Sequence, residues 1–466
     1  MTSVDHTPPV ARGNAARGAM RSYFAEGLGS WVGPGALFAG LAALSFELPT
    51  SFSDSGHLTV YYSEPFALIL GVSLVVALVA RRYRPSVWGR RMLAVLIAFM
   101  AWYLVICIAR SVFGGNVKQS LLVVRTTILP VVAFFLVDAG WENRRRTLGG
   151  LVLLNTILVA LHLPDWNNMR GSDYLGNSIV FGTVLVLLVP VNMLLFVRKE
   201  ATHQVIRWAS GFNLVAALVL PIWTGSRSPA VMAIFAFVAS LLVIRPAKRD
   251  VVKALGVVLV AVIIHSSVWL FNPQGSAYAL YRLFPTPGQV GEALGWDALG
   301  RFDSADREEH SDVGADELQR ADDSRAELMQ LAWREFQSSP IFGTGQVYFE
   351  IDSYKGPALY SAHNFVLDHL NAYGLIGFLI YIGSFVMLLA RKIGHWRFSD
   401  PLARDNGISL VMTAVLMGVS LTQPTMMIQL VITLYFVAIP ALQLMDEGGD
   451  MLSEGRASEG LPSLTS

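Results

Sequence analysis

Apolar runs of about 17 to 25 residues recur along nearly the whole of this 466-residue chain, each long enough to cross about 30 Å of hydrocarbon as an α-helix. A chain crossing lipid must satisfy its own backbone hydrogen bonds, which helices do within one segment. Apolar residues make up 53% of the sequence and charged residues 15%, with a mean hydropathy of +0.50, well below the roughly 25% charged usage of soluble domains. The expectation is an all-α polytopic membrane protein of about 12 spanning helices, near 32–48, 64–80, 92–110, 121–138, 148–163, 174–197, 208–224, 229–245, 252–271, 363–390, 406–422 and 425–445. The gaps at Trp223 to Ser228 and at Gln423-Pro424 read equally as tight turns or as breaks within one helix. The near-neutral net charge of +1 offers no electrostatic case for a nucleic-acid partner. A single cysteine, Cys107, excludes a disulfide framework.

Loop charge sets the orientation, because Lys and Arg favour cytoplasmic loops. Arg81-Arg82-Tyr83-Arg84 with Arg90-Arg91, Arg144-Arg145-Arg146, Arg198-Lys199, Arg245 with Lys248-Arg249, and Arg391-Lys392 with Arg397 and Arg404 all fall on one side when twelve helices are threaded. Both termini join them. The division expected is a cytoplasmic tail (1–30), helices 1–9 (31–271), a long non-cytoplasmic segment (272–362), helices 10–12 (363–445) and a disordered cytoplasmic tail (446–466). Within the long segment, residues 297–323 are acidic and read as a solvated loop, with no metal site. Asp316 to Ser338 reads as an amphipathic helix, with Leu318, Ala321, Leu328, Met329, Ala332 and Phe336 on one stripe, Arg325 amid them and Pro340 ending it.

A cation at the edge of an apolar element needs a partner. Arg125, Arg170, Arg227 and Arg325 meet that description on the non-cytoplasmic side. Singly, each reads equally as a side chain snorkelling to lipid phosphate or capping helix carbonyls. Converging on one face, they suggest an anion site, since guanidinium forks bind phosphate oxygens in pairs. His363, in Ser361-Ala362-His363-Asn364-Phe365, opens the helix that re-enters the membrane; the positive helix end favours neutral imidazole, which can act as a base. The alternative is a histidine that caps the helix. His369 reads as structural. No Asp-x-Asp pair, His-Glu-x-x-His, phosphate-binding glycine loop or Cys/His cluster is present, so no metal or cofactor has a carrier. Arginines with a neutral histidine suit displacement of a phosphate leaving group by a hydroxyl.

Three segments in order, Thr224-Gly225-Ser226-Arg227, then Asp323-Ser324-Arg325 through Trp333 to Pro340-Ile341-Phe342-Gly343-Thr344-Gly345, then Ala362-His363-Asn364 with Tyr373-Gly374-Leu375-Ile376-Gly377, resemble the O-antigen ligase and O-antigen polymerase superfamily. The resemblance spans about 165–390 and implies a GT-C-like, metal-independent, inverting glycosyltransferase in the bacterial inner membrane. Such an enzyme moves a glycan from undecaprenyl pyrophosphate to an acceptor hydroxyl at the periplasmic face, of lipid A-core for a ligase or of a lipid-linked repeat unit for a polymerase. It implies that Arg227 and Arg325 bind the pyrophosphate and that His363 handles the hydroxyl proton; Arg125 and Arg170 join as further pyrophosphate ligands on the charge argument alone. A ligase is the first expectation. A rival of another class is a twelve-helix transporter or flippase for an anionic lipid-linked substrate, and a membrane scaffold is a third.

Overall fold

The computed structural model describes residues 87–112, 144–162, 178–197, 203–223, 226–271, 327–345, 349–353, 356–360, 362, 364–395, 404–421 and 431–442, with 130, 133, 134 and 137. The helices are α1 (Val87–Val112), α2 (Arg144–His162), α3 (Ser178–Leu187), α4 (Val189–Val197), α5 (Gln204–Trp223), α6 (Arg227–Ile244) and α7 (Lys248–Phe271). There follow α8 over 327–338, a hairpin of β1 (Phe349–Ser353) and β2 (Gly356–Tyr360), α9 (Phe365–His395), α10 (Arg404–Ser420) and α11 (Val431–Leu442). Among the described residues, α5, α6, α7 and the Phe365–Met387 part of α9 are long and apolar enough to cross a membrane. The expected spans 32–48 and 64–80, most of 121–138, both tails, the acidic 297–323 stretch and the Gln423-Pro424 gap lie outside the described residues.

Large apolar side chains stand exposed along whole helix faces: Val231, Ile234 and Leu242 on α6, and Leu255, Leu259, Val262 and Ile263 on α7. Apolar surface on this scale needs a lipid solvent. The opposite faces pack inward. Helix α6 is central, lying against α3, α4, α5 and α10, and it buries Ala233, Ala236 and Phe237. Its small residues let neighbouring backbones approach, the packing currency available between helices in lipid. Asn213 of α5 donates through Nδ2 to Val152 O on α2 (2.9 Å) and to Asn192 Oδ1 on α4 (3.2 Å), and Thr156 donates to Asn213 Oδ1 (3.1 Å). These buried amides tie three helices where water is absent.

Several expectations need amendment. The run 174–197 breaks at Leu188, where Pro190 supplies no amide proton; the Asn192 backbone and side-chain N–H groups both donate to Leu188 O at 2.9 Å. The Trp223 to Ser228 gap separates two helices, since α6 starts afresh at Arg227 and packs back on α5. At its far end α6 is closed by Arg245 in a left-handed conformation, whose N–H reaches Leu241 O ahead of Pro246.

The long segment is also more structured than an amphipathic helix in a loop. An antiparallel hairpin pairs Phe349 with Tyr360 and Ile351 with Ala358, and it delivers the chain directly to Ala362. The all-α expectation did not include it; Pro357, which strands disfavour, lies within β2. The amphipathic reading of α8 holds for Leu328 and Ala332, which are buried with Leu331 beside them, but Met329 is exposed. Residues 328, 331 and 332 form the inward face at helical spacing, leaving Met329 and Trp333 on its outer flank.

Candidate functional site

Arg227 is the first residue of α6 and is partly buried, between Ser226 before it and Pro229 after it, which are both buried. Ser226 has an extended conformation (φ −88°, ψ 92°), its N–H donates to Pro221 O at 3.0 Å, and its carbonyl takes the Ala230 N–H at 3.0 Å. The turn is therefore anchored to both helices it joins. Helix α3 closes on it from the side, where a Cβ on Gly182 would stand 3.1 Å from Pro229 Cβ and 3.8 Å from Ser226 Cβ.

The second turn precedes α9. Asn364 caps that helix, its Oδ1 accepting the Val366 N–H at 3.0 Å and the Leu367 N–H at 3.3 Å. Asp368, 1% exposed, reaches back through Oδ1 to the Ala362 N–H at 2.8 Å. The chain on either side of residue 363 is thus held by two side chains of the following helix. Ala362 is buried against Leu328 and Ala332 of α8, with Leu331 and Leu367 at the margin. Helix α8 therefore docks beside this turn.

Helix α10 joins the two turns. Asn364 Nδ2 donates to Leu421 O at 3.5 Å at the end of α10, while a Cβ on Gly418 would stand 2.7 Å from the Met232 side chain of α6. Arg227 and Asn364 consequently occupy the same end of the bundle. Among the sequence-predicted site residues, Arg227 is described; Arg125, Arg170, Arg325 and His363 lie outside the described residues. His369 is buried, its Nδ1 is 2.7 Å from Phe365 O and its ring stacks on Tyr381, as expected of a structural histidine.

The glycine-rich motif segments form a backbone clasp. Helix α9 breaks at Gly374 (φ 65°, ψ −177°), which frees backbone groups on both sides of the break. Segment 340–345 binds them: Thr344 N to Asn371 O (2.7 Å), Gly345 N to Ala372 O (3.0 Å), Leu375 N to Pro340 O (2.8 Å) and Ile376 N to Ile341 O (3.3 Å). Gly343, at φ 77°, lies against Gly374 so closely that neither position has room for a Cβ. The clasp fixes the C-terminal end of α8 relative to the first turns of α9, and with it the separation of the two motif segments.

Trp102 of α1 closes the clasp from outside. Its Nε1 donates to Tyr373 O at 3.0 Å, and its ring stacks on Phe342 at 5.6 Å. Replacing it by phenylalanine removes this bond while keeping an aromatic ring, and is expected to cost about 1–3 kcal/mol by leaving a kink carbonyl short of a donor. Thermal unfolding of the detergent-solubilised variant measures this; an unchanged midpoint would assign the indole to packing alone. Nothing in the sequence singles out Trp102 among the aromatics of its apolar run. Asp368 did carry a signal, an ionisable residue inside a membrane helix.

These features define a helical membrane protein whose re-entrant turns, amphipathic helix and glycine clasp gather at one end of the bundle. Residues 212–382 match the family model described as O-Antigen ligase, a span running from within α5 to within α9 that takes in Arg227, the clasp and the Ala362 to Asn364 turn. The match supports an O-antigen ligase or polymerase type of assignment for this region, and a function of that broad type. No curated protein matches the chain.

Proposed function

We propose that this protein is an O-antigen ligase: it transfers a glycan from undecaprenyl pyrophosphate to a sugar hydroxyl of lipid A-core at the periplasmic face of the inner membrane, with inversion and without a metal ion. The observation that supports the reading is the meeting of the Arg227 turn, the start of α9 and the docked α8 at one end of the bundle. In this proposal the acceptor oxygen attacks the anomeric carbon as the bond to the pyrophosphate oxygen breaks. The leaving group departs with the electron pair, and the hydroxyl proton passes to His363. Arg227 and Arg325, supplemented by Arg125 and Arg170, stabilise the charge developing on the pyrophosphate, the task of preorganised cations. Their guanidinium groups stay charged throughout. The membrane division proposed is the one read from loop charge, with both termini cytoplasmic and the 272–362 segment periplasmic.

The test supplies purified protein in liposomes with an undecaprenyl pyrophosphate-linked oligosaccharide and either lipid A-core or a second lipid-linked unit. Extension of lipid A-core is expected, persisting in EDTA and giving the inverted anomer by NMR. His363→Ala and Arg325→Ala are each expected to reduce it by about 10²-fold or more. Extension of the lipid-linked unit alone would make the protein a polymerase. Movement of the intact donor across the bilayer with no transfer would make it a transporter.

A further inference from the structure

Helix α8 divides around its axis into three arcs. Leu328, Leu331 and Ala332 face the protein, packed with Ala362 and Leu367. Gln330, Arg334 and Gln337 share a second arc at helical spacing, and all three are exposed. Between these lies a third arc of Met329, Trp333 and Phe336, apolar throughout, with Met329 and Trp333 exposed and the Trp333 ring against Phe336 at 5.5 Å. The apolar arc continues past the helix end. Ile341 and Phe342, just beyond Pro340, are exposed too, and the clasp ties Ile341 O to the Ile376 N–H, beside the exposed Leu375 and Leu379 of α9. A surface in water rarely gathers so many large apolar side chains without a partner.

The level of this flank identifies what covers it. Phe342 stacks on Trp102, which lies midway along the apolar Ala94–Ala109 stretch of α1, and Val105 on that helix is exposed. Segment 340–345 therefore stands level with the lipid-facing side chains of α1 and α9. Non-helical backbone is tolerated at such a level only where protein takes up its polar groups. The clasp does this: the N–H groups of Gly343, Thr344 and Gly345 reach Ser339 O, Asn371 O and Ala372 O, and the carbonyls of Pro340 and Ile341 accept from Leu375 and Ile376. We infer that α8 and segment 340–345 form a lipid-docked flank, in which acyl chains of bilayer phospholipids cover Met329, Trp333, Phe336, Ile341 and Phe342. The arc of Gln330, Arg334 and Gln337 stays among headgroups and water. Trp333 and Arg334, side by side, suit that boundary: an indole has an apolar body with one polar edge, and a guanidinium on an apolar stem reaches phosphate oxygens. Because the inward arc of the same helix holds Ala362, the bilayer sets the height of the turn that opens α9. Nothing in this placement depends on the proposed transfer reaction.

The test uses the full-length protein in vesicles of phosphatidylethanolamine and phosphatidylglycerol, with no lipid-linked glycan present. In a Cys107→Ser background, an environment-sensitive fluorophore is attached in turn to Met329→Cys, Trp333→Cys and Ile341→Cys, and to Gln330→Cys and Gln337→Cys on the polar arc. The first three are expected to emit to the blue of the other two, to be quenched by phospholipids brominated on their acyl chains, and to be shielded from aqueous iodide. The polar pair is expected to show the reverse. Iodide quenching at all five positions would overturn the inference by placing the flank in water. A blue-shifted signal that brominated lipid leaves untouched would overturn it as well, in favour of a second copy of the chain if it fades as the protein is diluted in the membrane, and of cover by the same chain if it persists. A reading without cysteine or label comes from the native indole. The fluorescence that wild type has and Trp333→Phe lacks is expected to be lost in brominated vesicles and kept in iodide; the opposite pattern would overturn the inference whether or not the cysteine variants fold.

Discussion

Alanine at Gly374 is expected to leave little folded protein in the membrane, and what remains is expected to unfold well below the wild-type temperature. The new Cβ would fall against Ile341 O, Gly343 N and Phe342 C, all backbone atoms with no side-chain end to swing aside. The residue's φ of 65° adds left-handed strain of about 1–2 kcal/mol for an L side chain. Relief requires segment 340–345 to move away, which breaks four backbone bonds worth about 1 kcal/mol each. Together these exceed the about 4 kcal/mol that marks an exceptional substitution. Gly343→Ala is expected to behave alike, its Cβ lying 2.6 Å from Tyr373 C and 2.9 Å from Ala372 O. Gly383→Ala on the same helix meets nothing within 4 Å and serves as the control, expected to be neutral or to stabilise by up to about 1 kcal/mol. Thermal melts in detergent and protein levels in membranes decide the matter. A Gly374→Ala protein melting with the wild type would show that the clasp does not hold α8 and α9 together.

Alanine at Arg227 is expected to lower kcat by about 10²- to 10³-fold, the usual loss when one preorganised charge-stabilising donor is removed. The expectation rests on position. Arg227 begins α6, where the positive end of the helix favours an anion, and its turn is pinned by the Pro221 and Ala230 backbone and by the close approach of Gly182. The cation would thus act from a rigid element and need little reorganisation during the reaction. Arg227→Lys is expected to recover only part of the activity, because an ammonium lacks the planar fork that holds two phosphate oxygens. Transfer in liposomes is the measurement, with the melting temperature checked so that misfolding is not counted as lost chemistry. Unaltered kcat in Arg227→Ala would remove it from the proposed pyrophosphate site.

The motif residues were legible in the sequence for different reasons. Arg227 stood out as a cation beside an apolar run, whereas Asn364 was read only as part of the motif and its capping role came from the structure. Gly343 and Gly374 were visible only as letters of a resemblance, and their task emerges from a close approach between segments about 30 residues apart in the chain. Asp368 was not singled out in the sequence, although it is an acidic residue in a membrane helix, and its bond to the Ala362 N–H is a fact of three-dimensional packing. Trp102 lies in a different apolar run altogether, and pairs with Phe342 and Tyr373 by long-range packing that no local pattern encodes. The hairpin was lost to a proline and short strands, features that propensity assigns to loops.

By itself the sequence determined that this chain is a helical membrane protein, because crossing lipid depends on the run length and apolarity of about 20 contiguous residues. It also determined which residues carry charge at the edges of those runs. Only the tertiary structure decided that α10 would join the Arg227 turn to the start of α9, that α8 would dock on Ala362, and that two glycines would let one backbone satisfy the break in another. The reason is physical: partition into lipid is a local property of a segment, whereas a backbone clasp and a buried carboxylate depend on which distant segments exclude water from one another.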